Sequence, residues 1–70
     1  MTTETFFQKF ANTPIPERSI PHNVKTPDGY VYPMSLMQIY EQIELLEKRM
    51  RPDRIAEENL LKEAERIMGK

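Results

Sequence analysis

The chain has no cysteine and no tryptophan, a single histidine, and only two glycines in 70 residues. Each scarcity closes a route. Without cysteine no disulfide can staple the scaffold, and with His22 as the one imidazole a structural zinc lacks a ligand set. Two glycines are too few for a glycine-rich phosphate loop. Charge of one sign is lacking as well. Ten Lys plus Arg stand against eleven Asp plus Glu, a formal net charge of -1, without the basic excess of a protein built to grip duplex DNA. No apolar run approaches the ~18–20 residues needed to cross a bilayer. The start, Met1-Thr2-Thr3-Glu4, lacks the basic opening and apolar stretch of a signal peptide. A cytoplasmic protein is the expectation, and the missing cysteine agrees with it.

One domain of this size buries only about 60% of the surface its unfolded chain exposes. Small scaffolds lacking disulfides and metals usually lean on a partner subunit. Self-association or binding to a larger protein is therefore expected, with a well-packed monomer as the alternative.

What is present divides into three parts of a single domain: a short helix in 1–12, an arm over 13–33, and a helical hairpin over 34–70. In the first, TETFFQKFA reads as a helix over 3–11, with Thr2 or Thr3 as N-cap and Glu4 complementing the dipole. Phe6, Phe7 and Phe10 share one face by their spacing, and Asn12 followed by Pro14 signals a stop. So short a helix does not persist alone in water and must dock.

The arm holds five of the six prolines, Pro14, Pro16, Pro21, Pro27 and Pro33. Each fixes its own φ and biases its predecessor toward extended geometry, so the whole arm is expected to be extended. Within it, Thr26-Pro27-Asp28-Gly29 is a turn signal: proline suits the second position and glycine supplies positive φ. Val24 and Tyr30-Val31-Tyr32 flank it with strand formers, so a small two-stranded hairpin can form. The apolar content of the arm predicts order.

In the third part, Ser35 with Gln38 makes a capping box that opens a helix over 35–50. Leu36, Ile39, Ile43, Leu46 and Met50 fill the a and d positions of a heptad, and Tyr40 and Leu45 widen the stripe. Pro52 interrupts. A new apolar phase runs from Ile55 and Ala56 through Leu60, Leu61, Ala64, Ile67 and Met68, and Gly69 suits a C-terminal end. The pattern predicts a mainly α fold ending in an antiparallel αα-hairpin, with one kinked helix as the alternative. The stripes are wider than one seam, so a homodimeric bundle is expected, with Leu36, Ile39, Tyr40, Ile43, Leu46, Leu60, Leu61 and Ala64 at its interface. The Phe6–Phe7–Phe10 face can supply the same cover within one chain.

Catalysis finds little footing. His22 has no thiol to activate, Ser19 has no strand–turn–helix context, and Glu57, Glu58, Glu63 and Glu65 read as a solvated helix face. No enzyme and no cofactor are expected. Lys48, Arg49, Arg51 and Arg54 gather four cations at the break between the helices, where an anion could bind, although cations at a helix C-terminus also stabilise it without a ligand. The arm offers Arg18, His22, Lys25, Tyr30 and Tyr32, residue types suited to partner contacts and drawn from a loop. Tyrosines packed at the edge of the long helix are the plainer reading.

The leading functional expectation is a protein-binding module, an inhibitor, adaptor or assembly factor that occupies a partner's surface. Its size is typical of proteins from phage and mobile elements. A nucleotide or nucleic-acid binder using the basic corner or the arm is the alternative.

Overall fold

The computed structural model describes residues 1–50 and 53–68. Helix α1 spans Thr3–Ala11. Thr2 lies in extended backbone, and its hydroxyl accepts the Thr5 N–H at 3.1 Å. Glu4 sits in the first turn and Lys9 in the last, the charge order that suits the helix dipole. Asn12 closes the helix, as the sequence predicts. Phe6 and Phe10, one turn apart, are buried together.

The next segment differs from the expectation of a wholly extended arm. Ile15–Arg18 forms a single helical turn, α2. Pro16 is compatible with it because it falls in the first turn, where the missing N–H would have had no partner inside the helix. The Glu17 and Arg18 N–H groups both reach the Pro14 carbonyl, at 3.0 and 3.3 Å.

The hairpin forms. Strand β1, His22–Lys25, pairs antiparallel with β2, Val31–Met34, in the register His22↔Met34, Asn23↔Pro33, Val24↔Tyr32 and Lys25↔Val31. Thr26 N–H donates to the Tyr30 carbonyl at 2.8 Å, and Gly29 N–H to the Thr26 carbonyl at 3.0 Å. Pro27 occupies the second turn position and Gly29 has φ 93°, so the left-handed residue stands where only glycine adopts it freely.

Helix α3, Leu36–Glu47, opens on the predicted capping box: Gln38 N–H donates to Ser35 Oγ at 3.3 Å, and Ser35 N–H to Gln38 Oε1 at 2.9 Å. It stops three residues short of the predicted end at 50, and Met50 is fully exposed rather than the last member of the seam. Proline has no N–H to give the carbonyl four residues back and its ring crowds that carbonyl, which for Pro52 is Lys48, the residue that caps α3.

Helix α4, Arg54–Met68, starts after Asp53, whose carboxylate accepts the Ala56 N–H at 3.1 Å. Leu61 and Ala64 are buried, while Ile55, expected to begin the apolar stripe, is 70% exposed. Counting back from Leu61 by one turn, the inward position falls on Glu57 instead. Its Oε1 accepts the Thr3 hydroxyl at 3.3 Å, and its Oε2 is buried with no partner among the described residues. Leu36 at the start of α3 and Ile67 and Met68 at the end of α4 line one cavity. The two helices therefore run in opposite senses as two separate elements, which replaces the kinked-helix alternative. Gly69 lies outside the described residues. Phe6, Phe10, Val24, Leu36, Ile39, Ile43, Leu61 and Ala64 make one core to which α1, β1, α3 and α4 all contribute.

Candidate interaction surface

An isolated two-stranded hairpin is marginal in water, so something must hold this one. Antiparallel pairing alternates, and the Thr26–Tyr30 bond sets the phase: Val24 faces Tyr32 and His22 faces Met34 in bonded pairs. Asn23 and Lys25 then point their backbone groups away from β2, toward α4. There, Asn59 Nδ2 donates to the Lys25 carbonyl at 2.7 Å, the Lys25 N–H donates to Glu63 Oε1 at 2.6 Å, and Arg66 Nη2 donates to the Asn23 carbonyl. Arg66 Nε also donates to Glu63 Oε2 at 3.1 Å. Asn59, Glu63 and Arg66 fall at helical spacing on one face. Burial pushes the Glu63 carboxyl up, but the Lys25 N–H and the Arg66 guanidinium outweigh it and hold the group below its ordinary value.

These three residues were missed by the sequence reading, which assigned the α4 carboxylates to a solvated face. The available signal was a polar stripe Asn59–Glu63–Arg66 running beside the apolar one, a pattern suited to meeting a backbone edge.

With β1 fixed, β2 stands on the outside. Tyr30 and Tyr32 are 64% and 51% exposed, their ring centroids 6.3 Å apart. Tyr32 shares the pleat face of buried Val24, since the two are directly paired. Beneath it runs a groove of about 390 Å³ between the hairpin (Val24, Tyr32, Met34), Gln42 of α3, and Ala56 and Leu60 of α4. The third tyrosine, Tyr40, belongs to the long helix itself and packs inward against α1. Tyr40 meets Phe7 at 5.2 Å and stacks on Phe10 at 4.6 Å. The nearby Glu44 carboxylate, an acceptor for the neutral phenol and a negative charge beside it, holds the Tyr40 hydroxyl above its ordinary value.

The other arm residues do not join the tyrosines. Arg18 turns back onto α1: Nε donates to the Thr13 carbonyl at 2.9 Å, Nη2 to the Ala11 carbonyl at 3.1 Å, and the guanidinium lies 4.5 Å from the Phe10 centroid. His22 lines the separate cavity of about 360 Å³ that also takes in Glu17 and Leu36. Lys25 is exposed on the outer pleat face, held by its backbone.

Lys48 pairs with Glu44 at 3.7 Å, Arg49 and Arg54 are exposed, and Arg51 lies outside the described residues. The Asp53 carboxylate occupies the N-terminus of α4, the place an anion would use. Of the residues expected at an oligomer interface, Leu36, Ile39, Ile43, Leu46, Leu61 and Ala64 are buried within the single chain, and Tyr40 and Leu60 are half-buried against its core.

Among the described residues, no group of three or more His, Asp or Glu side chains could hold a metal ion, and no helix is long and apolar enough to cross a membrane. Comparisons with protein-family models, with curated proteins and with solved structures each give no match.

Proposed function

We propose that the chain is a non-enzymatic protein-binding module, acting as an inhibitor, adaptor or assembly factor that covers part of a partner's surface. The observation that carries this reading is the exposed Tyr30–Tyr32 pair beside an apolar groove, on a hairpin whose other edge is fastened to α4. Tyrosine brings large contact area at low conformational cost, and a fastened hairpin loses little further freedom on binding. Six of the eight seam residues are buried within the single chain and Tyr40 and Leu60 half-buried, so this reading does not depend on a homodimer.

The test is a selection of random linear peptides on the folded chain. Selected peptides should bind Tyr30→Ala and Tyr32→Ala at least about tenfold more weakly, and should keep their affinity when salt is raised, as expected of an aromatic hot spot. Ligands that instead depend on Arg49 and Arg54 and are released by salt would point to the anion-binding alternative.

A further inference from the structure

The two edges of the hairpin are treated differently. On β1, the Asn23 carbonyl and both backbone groups of Lys25 are taken up by Asn59, Glu63 and Arg66. On β2, the same alternation turns Val31 and Pro33 outward, since both pair with outward-facing residues of β1. Pro33 is tolerated in the strand for this reason: its nitrogen faces away from the ladder, where no N–H is needed. Val31 N–H, Val31 C=O and Pro33 C=O have no hydrogen-bond partner among the described residues, and Val31 is 57% exposed. The groove opens under this same strand, with Tyr32 on its wall.

We infer that the outer edge of β2 is the site at which an extended segment of another protein adds as a third strand, its inward side chains entering the groove between Tyr32, Met34 and Leu60. This inference rests on the protein-binding reading and names the form of the partner. The choice of occupant follows from the complementarity of backbone charge. Because Pro33 has surrendered its N–H, the edge offers two acceptors and one donor. An incoming strand free of proline supplies what is missing, two N–H groups and one carbonyl. A second copy of β2 brings the same acceptor excess, and where its proline meets Val31 the carbonyl faces a ring in place of a donor. The proline therefore disfavours self-pairing while leaving the edge open to a different strand.

The experiment uses peptides selected from a random linear library on the full chain, measured by titration against variants. Val31→Pro removes the one donor of the edge without touching a bond inside the hairpin, whereas Val31→Thr keeps it. Binding should fall about tenfold on Val31→Pro, the size of one backbone hydrogen bond lost, and hold within about twofold on Val31→Thr. Methylating alternate backbone nitrogens of the peptide should cause a similar loss with the protein unaltered, so the test stands even if Val31→Pro folds poorly. Peptides that are lost on Tyr32→Ala yet indifferent to both Val31→Pro and N-methylation would leave the binding module standing and overturn the strand addition. Failure to select any peptide would overturn both. A dimer in light scattering that Val31→Pro dissociates would make a second copy the occupant, and overturn the inference in that way.

Discussion

The Phe10 and Tyr40 rings stack at 4.6 Å with 15° between their planes, and this contact joins the first helix to the long one. Arg18 lies against the same Phe10 ring while its guanidinium bonds the end of α1. One ring thus fastens α1, α2 and α3 together.

Removing the stack tests that arrangement. Tyr40→Ala should destabilise the chain by about 2 kcal/mol, from lost burial and ring contact. Tyr40→Phe keeps the stack and gives up only the hydroxyl, so its cost should stay under about 1 kcal/mol. Urea unfolding of the three proteins separates the two contributions; equal costs would show that the hydroxyl, not the stack, carries the contact.

At the hairpin turn, Gly29→Ala should cost about 1 kcal/mol, the price of placing a Cβ at positive φ. A Cβ there would meet no heavy atom within 4 Å, so conformation alone sets the effect. Gly29→Asn should recover part of it, because asparagine tolerates the left-handed region. Thermal melts of both variants decide the matter, and an alanine variant as stable as the parent would sink it.

Asp53→Ala should weaken α4 by about 1 kcal/mol through loss of its N-cap, while Asp53→Asn should be nearly neutral. Circular dichroism during urea unfolding reads both. If the alanine variant also gains affinity for inorganic phosphate, the carboxylate has been holding the helix N-terminus against anions.

The link between Glu63 and β1 depends on pH. The Glu63 carboxyl is held below its ordinary value of 4.5, so the folded state favours the ionised form. Its contribution is fully present above that ordinary value and disappears as pH falls through the lower value of the folded state. Glu63→Gln should therefore be less stable than the parent by about 1 kcal/mol near neutrality, and the gap should narrow as the pH falls below 4.5. Parallel melting curves at all pH values would contradict the assignment.

Local chemistry made several elements readable in advance. The Thr2 cap and Asn12 stop bounded α1, Ser35 with Gln38 opened α3, and Pro27 with Gly29 set the turn, because each acts within a few residues. What was not readable depended on tertiary phase. Helicity at Ile15–Arg18 hung on Pro16 falling in a first turn, and the exposure of Ile55 and Met50 on where α4 met the core. Among the candidate site residues, Tyr30 and Tyr32 do stand on the surface, but Arg18 is engaged inside the chain and Lys25 is held by its backbone. No periodicity within the arm encodes that division. At Lys25 it is made by Asn59 and Glu63, more than thirty residues away in sequence, and at Arg18 by the carbonyls of Ala11 and Thr13 at the end of α1.

That separation orders events during synthesis. The hairpin leaves the ribosome before the helix whose side chains seal β1, so for an interval the nascent chain carries two bare edges instead of one. In that interval Pro33 disfavours only the pairing of β2 with another copy of itself, and β1 can pair wrongly with any strand it meets until α4 docks. Changes in Asn59, Glu63 or Arg66 would thus lower the yield of soluble protein more than they lower the stability of molecules already folded.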